Sequence, residues 1–231
     1  MDRHGDKFVS GAKDHLVKVW NLQTGKRVEK CNFKHPAPVQ CVRISSTRVY
    51  SSCDRGLVKV WDLESMSLLR VVDAHRSSVR CLFLDELHLL SADVDGQVMA
   101  WSSSSDVKRC LMTFKHPKEV RSVSLVFLRV LTGCVDGKIR VFNFLTGDCL
   151  KVITAEAESV GILSVHFHDN GIASCCHVPH NQSRVDLGFR ALRLRADVQA
   201  AEVKQGACHA ELHTFGHFPS KISVVFSLQS M

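Results

Sequence analysis

The chain has no long hydrophobic run, and this absence excludes a membrane-spanning helix. No window of its 231 residues approaches the roughly 18 uninterrupted apolar residues that such a helix needs. Residues 1–6 also lack the apolar core of a secretory signal peptide. We therefore expect an intracellular protein, cytoplasmic or nuclear, that makes no membrane contact. Its ten cysteines are expected to be free thiols.

Aromatic residues and runs of like charge are also scarce. Aromatic residues make up 7% of the chain and include a single Tyr. No five like charges follow one another, although the formal net charge is +7. Binding of single-stranded nucleic acid uses aromatic stacking platforms in basic surroundings. The composition therefore argues against a nucleic-acid partner, while 45% hydrophobic residues are enough for a core.

No sequence motif indicates catalysis. The chain has neither a Gly-rich phosphate loop nor a Gly-x-Ser-x-Gly motif. His209, His213 and His217 lie four residues apart, but glutamate does not directly follow the first of them, as it does in zinc proteases. We predict no enzyme activity, no cofactor and no metal site.

A repeat of about 40 residues organises the chain. Strand-like segments end at Trp20, Trp61, Trp101 and Phe142, and these aromatic residues are 41, 40 and 41 positions apart. Upstream of them, alternating apolar segments predict inner strands at Val39 to Ile44, Val79 to Leu84 and Val120 to Leu125. Such a period indicates one supersecondary unit used several times.

Polar residues keep the same period as the aromatic ones. A histidine lies 26 residues before three of the aromatics, a serine or threonine follows it by 16 residues, and in two units an aspartate follows it by 20. The sets are His35 and Ser51; His75, Ser91 and Asp95; and His116, Thr132 and Asp136. The first unit keeps Ser10, Asp14 and Trp20 but begins too late to contain its inner strand.

This pattern resembles the WD40 repeat, whose units each form a four-stranded blade of a β-propeller. The resemblance implies an all-β fold, with an incomplete WD40 propeller of about four to five blades over residues 1–176. It also implies that His, Ser or Thr, Asp and Trp of a unit form a hydrogen-bonded structural tetrad, complete only in the unit of Trp101. Units in which Arg55 or Phe142 replaces a tetrad residue should be looser.

Residues 177–231 do not continue the repeat. We expect a divergent C-terminal tail that is irregular or partly helical and poorly ordered, with helix between Arg184 and Phe215 and an isolated strand at Ile222 to Leu228.

Residues 52–61 and 110–120 are similar to the F-box/WD-repeat family, the substrate receptors of cullin-based ubiquitin ligases. The resemblance implies a non-catalytic interaction module that binds a protein client, with other ligase components as partners of a full-length relative. Nothing in the chain resembles an F-box, so we expect it to bind a client without delivering it. The alternative is a truncated isoform or gene-remnant product with little independent function.

Several receptors of this family read phosphorylated or acidic peptides with basic residues on the inner strands and before the tetrad aspartate. The matching candidate peptide-binding residues here are Arg80, Arg121, Lys13 and Gln40. Arg80 and Arg121 occupy equivalent places in neighbouring units, where two guanidinium groups can converge on one phosphate. The alternative is that both are solvated residues of an ordinary central channel.

Overall fold

The computed structural model describes residues 1–28, 31, 33–103, 110–154, 161–168, 171–179, 185–193 and 212–213. All regular elements in these ranges are β-strands, which form five antiparallel four-stranded sheets. No helix long and apolar enough to cross a bilayer occurs in the same ranges. The expected all-β array of four to five blades is confirmed.

Each sheet is one blade, and its strands follow one another along the chain. Blade 1 contains β1 (Asp2–His4), β2 (Lys7–Gly11), β3 (Leu16–Asn21) and β4 (Phe33–Lys34). Blade 2 contains β5 (Val39–Ile44), β6 (Arg48–Cys53), β7 (Leu57–Asp62) and β8 (Leu68–Asp73). Blade 3 contains β9 (Val79–Leu84), β10 (His88–Asp93), β11 (Gln97–Ser102) and β12 (Cys110–Lys115). Blade 4 contains β13 (Val120–Val126), β14 (Arg129–Cys134), β15 (Lys138–Asn143) and β16 (Cys149–Thr154). Blade 5 contains β17 (Ile162–His168), β18 (Gly171–Pro179), β19 (Val185–Arg193) and β20 (Leu212–His213).

Blade 1 has an inner strand, and the expectation that it lacks one is wrong. Strand β1 is only three residues long, but it pairs with β2 through a turn at Gly5, whose φ is +59°. The Asp2 carboxylate also accepts a hydrogen bond of 2.9 Å from the backbone N–H of Ile44 in blade 2. Pairing and this cross-blade bond together position a strand too short to be recognised from an alternating pattern.

The core lies between successive blades. The inner strands β5, β9, β13 and β17 pack against one another in chain order. Trp61 on β7 and Trp101 on β11 occupy matching third strands of adjacent blades and are both about 95% buried. At Gly133 an added Cβ would lie 2.5 Å from Ile162 Cγ2 of blade 5, so glycine permits this close approach of β14 to β17.

The helix expected between Arg184 and Phe215 is wrong in the part of that segment that the structure describes. Val185–Arg193 is strand β19, which pairs with β18, and Leu212–His213 is strand β20. The sequence of β19 places Val, Leu, Phe and Ala at alternate positions, which is the period of a strand. Residues 177–179 belong to β18, and the remaining tail residues, including Ile222 to Leu228, lie outside the described residues. The division of the chain after residue 176 stays a prediction.

Candidate functional site

Blade 3 contains a buried chain of hydrogen bonds that links the loop before β9 to two strands, β10 and β11. His75 Nδ1 donates to Asp93 Oδ2 at 2.9 Å, and His75 Nε2 lies 2.8 Å from Ser91 Oγ. Trp101 Nε1 also donates to Ser91 Oγ, at 3.0 Å. All four residues are buried. Because these polar groups satisfy one another away from water, they fix the loop before β9 onto β10 and β11.

The carboxylate in this chain belongs to Asp93, so the assignment of Asp95 to that role is wrong. Asp93 ends β10, where a bulge between Ala92 and Asp93 shifts the pairing with β9 and turns its side chain inward. Asp95 lies two residues further along, exposed in the turn. Burial acts to raise the pKa of Asp93, but hydrogen bonds from His75 and from the backbone of Gln97 outweigh it and lower that pKa.

Blade 2 has the same contacts without the carboxylate. His35 Nε2 lies 2.6 Å from Ser51 Oγ, and Trp61 Nε1 donates to the same oxygen at 2.8 Å. Within the part of the chain that the structure describes, His35 Nδ1 is buried and has no hydrogen-bond partner. Cys53 ends β6 where Asp93 ends β10. Burial, followed by the charge of Lys59, lowers the pKa of His35 to about 4.

Blade 4 replaces both the carboxylate and the indole. His116 Nε2 accepts a hydrogen bond of 2.8 Å from Thr132 Oγ1, and Nδ1 donates to the Gly96 carbonyl at 3.1 Å. The Phe142 ring lies edge-on to the imidazole, with 5.1 Å between ring centroids. Asp136 pairs with Arg140 at 2.6 Å rather than with His116, which corrects its assignment to the tetrad. Burial lowers the pKa of His116 to about 4.

Blade 1 keeps one link of the set. Trp20 Nε1 donates to Ser10 Oγ at 2.9 Å. Asp14 instead pairs with Lys18 at 2.7 Å and accepts a hydrogen bond from the backbone N–H of Leu16, so it stabilises the turn between β2 and β3. The hydrogen bond from Lys18 lowers the pKa of Asp14. The contact from the third-strand indole to the second-strand hydroxyl is therefore present in blades 1, 2 and 3.

A rim of polar side chains lies at the starts of the inner strands. Arg80 and Arg121 are the second residues of β9 and β13, and their side chains are 42% and 43% exposed. Both approach one carboxylate: Glu119 Oε1 lies 3.3 Å from Arg80 Nε and 3.5 Å from Arg121 Nε. The structure thus brings the two arginines together, but around a carboxylate of the chain itself.

The rim continues into blade 2 through uncharged donors. Arg80 Nη1 donates to Gln40 Oε1 at 2.9 Å, and Gln40 Nε2 donates to Asp54 Oδ1 at 2.7 Å. Ser78 Oγ, from the loop before β9, donates to the same Asp54 oxygen at 2.6 Å. Lys13 is exposed in the turn after β2. It completes the four candidate residues, of which Arg80, Arg121 and Gln40 belong to one connected network.

Sequence comparison agrees with this geometry. Residues 66–102 and 108–143 match the family model described as WD domain, G-beta repeat. The chain contains WD40 repeats. It is 44% identical over 200 residues to F-box and WD repeat domain containing protein 10B of Homo sapiens, covering 86% of this chain and 26% of that protein. It is 50% identical over 138 residues to F-box/WD repeat-containing protein 10 of Homo sapiens, covering 60% and 13%. The WD40 chain thus spans about a quarter or less of the length of these relatives.

Solved structures support the fold of the WD40 array. The computationally designed Ika8 protein superposes with a TM-score of 0.68 at 24% identity, covering 83% of this chain and 69% of that one. The designed Ika4 protein superposes with a TM-score of 0.55 at 25% identity, covering 67% and 92%. The WD40 array is related to F-box/WD repeat proteins in sequence, and these designed proteins share its backbone arrangement.

The tetrad of the WD40 array contains the same succession of hydrogen-bonded groups as a hydrolase triad, but a substrate cannot reach its serine. Asp93, His75 and Ser91 are linked as the acid, base and nucleophile of such a triad are. Ser91 is fully buried, and its oxygen accepts the indole N–H of Trp101. A substrate has no approach to that oxygen, so we interpret the set as a structural fastening.

Two residues of the site escaped the sequence analysis. Asp93 was hidden by the bulge in β10, and Glu119 lies in the loop before β13. One signal was available for Glu119. It stands two residues before Arg121, and residues two apart along extended chain project to the same side.

Proposed function

We propose that this WD40 array is a client-binding module, and that its arginine rim, consisting of Arg80, Glu119 and Arg121, binds a phosphorylated segment of another protein. One observation carries the proposal: two half-exposed arginines, equivalent in neighbouring blades, share a single carboxylate. The relatives named F-box/WD repeat proteins support a further step, that the client site serves a ubiquitin-ligase receptor.

The charges on the rim favour an added anion. Two guanidinium groups face one carboxylate, while Asp54 is occupied by the neutral donors Gln40 and Ser78. The distances of 3.3 and 3.5 Å to Glu119 exceed the roughly 2.7–2.9 Å of a formed charge-assisted hydrogen bond. Phosphate carries a charge of about −1.5 to −2 and presents oxygens to several donors at once. It therefore offers both arginines a stronger partner than Glu119 does.

The donor groups that a phosphate needs belong to half-exposed side chains. Among the described residues, the Nη groups of Arg121 have no hydrogen-bond partner, and Arg80 uses only Nη1, for Gln40. Arg140, by contrast, is about 91% buried and is already paired with Asp136 through two nitrogens. Arg80 and Arg121 therefore have donor groups for an external ligand, which the buried and paired Arg140 does not.

Fluorescence polarisation with a labelled peptide library, degenerate around a central phosphoserine, tests the proposal. We expect phosphorylated peptides to bind, and the double variant Arg80→Ala with Arg121→Ala to bind at least about tenfold more weakly. The matched control is Arg129→Ala. It removes an exposed arginine of blade 4 at the opposite end of the strands, and binding should be unchanged.

A third variant tests the role of the shared carboxylate. Glu119→Gln keeps the side-chain shape and removes the competing charge, so we expect about two- to fivefold tighter binding of phosphopeptides. Equal affinity of the wild-type protein and the double arginine variant, or preference for the unphosphorylated library, would contradict the proposed site. Association of a captured client with ubiquitin-ligase components would then test the receptor role separately.

A further inference from the structure

The opposite end of blades 3 and 4 carries a cluster of exposed apolar side chains, here named the apolar turn patch. It consists of Leu87 in the β9–β10 turn, Phe127 and Leu128 in the β13–β14 turn, and Leu145 in the β15–β16 turn. Their exposures are 65%, 90%, 45% and 66% in that order. Adjacent exposed apolar groups of this size are uncommon on a surface that faces only water.

The three turns are held close together. The backbone N–H of Phe144 donates to the Leu128 carbonyl at 2.9 Å, which joins the β15–β16 turn to the β13–β14 turn. The rings of His88 in blade 3 and Phe144 in blade 4 meet edge-on, with 4.7 Å between centroids. Leu87 and Leu145 are the chain neighbours of these two ring residues. The apolar turn patch is therefore one surface across two blades.

The β13–β14 turn has a backbone conformation that is unfavourable for its two residues. Phe127 and Leu128 both have left-handed backbone conformations, with φ of +45° and +60°. A two-residue hairpin turn with positive φ at both positions strongly prefers Asn-Gly, because bulky side chains are disfavoured there. A protein that keeps two large apolar residues in such a turn, one of them 90% exposed, has a use for them outside its own core.

Blades 1 and 2 show that the fold does not need apolar residues here. In blades 1 to 4, the residue after the third strand donates its backbone N–H to one position in the turn between the first and second strands. That position is Asp6 in blade 1 and Thr47 in blade 2, but Leu87 in blade 3 and Leu128 in blade 4. The same backbone contact forms with polar and apolar residues alike, so the leucines are a property of these two blades.

The charges around the patch indicate its partner. Glu86 and Asp148 are exposed next to Leu87 and Leu145, and Asp85 is half-buried beside them. Among the described residues of these three turns, Arg129 is an exposed cation adjoining Leu128. The described residues around the patch are therefore mainly acidic, in contrast to the arginine rim at the other end of the strands. Acidic surroundings repel a second copy of the same patch and an anionic lipid surface, and they attract basic groups.

We propose that the apolar turn patch binds an amphipathic segment of a partner protein, with apolar side chains on one face and Lys or Arg along its edges. Apolar contacts supply the affinity, and the basic edges pair with Glu86 and Asp148. Strands of six to seven residues separate this patch from the arginine rim, about 20 Å along the blade. The two surfaces can therefore bind different segments at the same time, and this inference does not depend on the proposed function.

A turn replacement tests the proposal. The double variant Phe127→Asn with Leu128→Gly installs the preferred turn sequence, so it should fold and melt about 2–4 °C higher than wild type. A phage-displayed library of random 16-residue peptides is selected on each protein, and affinities of enriched peptides are measured by polarisation. We expect wild type to enrich basic peptides with apolar residues at helical spacing, and the turn variant to bind them at least tenfold more weakly.

Two further proteins control this experiment. Leu145→Ser removes an apolar side chain in a different turn and should also weaken the enriched peptides, whereas Arg80→Ala with Arg121→Ala should bind them as wild type does. The proposal is overturned if no peptide prefers wild type over the turn variant, or if the preferred peptides are acidic. It is equally overturned if the patch-dependent event is self-association or adsorption to phosphatidylserine vesicles.

Discussion

Acid should destabilise this protein well above the pH at which carboxylates titrate, because two buried histidines stay uncharged in the folded state. His35 and His116 are 1% and 8% exposed. Burial first, and then the charges of Lys59 and Arg140 respectively, lower the pKa of each from 6.5 to about 4. Between pH 6.5 and 4 the unfolded chain therefore binds two protons that the folded chain does not. The stability that these rings contribute is complete above pH 6.5 and is lost as the pH falls.

The size of the effect follows from the two pKa values. Lowering the pH from 7.5 to 5.0 should cost about 2 kcal/mol for each histidine, or about 4 kcal/mol together. A free energy of unfolding is commonly about 5–15 kcal/mol, so this loss is a large fraction of the total. Asp93 does not contribute in this range, because its lowered pKa places its own loss of stability at more acidic pH.

Urea unfolding followed by tryptophan fluorescence at pH 7.5, 6.5, 5.5 and 5.0 measures the effect. The variant His116→Gln removes one titrating ring, so it should be less stable at pH 7.5 yet lose about 2 kcal/mol less than wild type on acidification. The control His4→Gln changes an exposed histidine of β1 and should keep the wild-type difference. A wild-type loss below about 1 kcal/mol, or an unchanged loss in His116→Gln, would refute the reasoning.

Two substitutions test the fastening and the turn geometry. Asp93→Ala should lower the free energy of unfolding by about 2–3 kcal/mol, because the buried His75 nitrogen loses its acceptor. Asp95→Ala should lower it by less than about 0.5 kcal/mol. Equal losses for both variants in urea unfolding would assign the tetrad role to Asp95 instead. Gly56→Ala places a Cβ against the His75 carbonyl oxygen at a φ of +78°, so it should lower the free energy of unfolding by more than about 3 kcal/mol. Gly25 has a φ of +65° and no atom within 4 Å of an added Cβ, so Gly25→Ala should lower the free energy of unfolding by only about 1–2 kcal/mol. Similar losses for the two glycine variants would show that the backbone moves to relieve the contact with His75.

The blades could be predicted from the sequence because strand period and repeat period reinforce each other. The inner strands expected at Val39 to Ile44 and Val79 to Leu84 are β5 and β9, with the same bounds. Errors arose where a local feature departs from the average unit. The bulge in β10 shifts the buried carboxylate by two residues, and the three-residue β1 depends on pairing and on a contact with the next blade.

The arginine rim was predictable in part. Arg80 and Arg121 hold the same position in successive repeat units, as the second residues of β9 and β13, so the repeat alone was enough to predict that they lie together. Their partner Glu119 was not predictable in the same way, because it lies in the loop before β13 and its contacts depend on side-chain conformation. The second half of blade 5 was missed by the sequence analysis, because β19 has the alternation of a strand but none of the Trp or Asp landmarks.

Asp54 belongs to blade 2, yet one of its oxygens accepts hydrogen bonds from both Gln40 in its own blade and Ser78 in blade 3. Gln40 in turn accepts from Arg80 of blade 3. Gln40 and Asp54 therefore hold blades 2 and 3 together, and Gln40 also contacts Arg80 of the arginine rim. A bound anion that drew Arg80 away from Gln40 would weaken this contact between blades 2 and 3. Client binding and blade packing therefore compete for the Arg80 side chain.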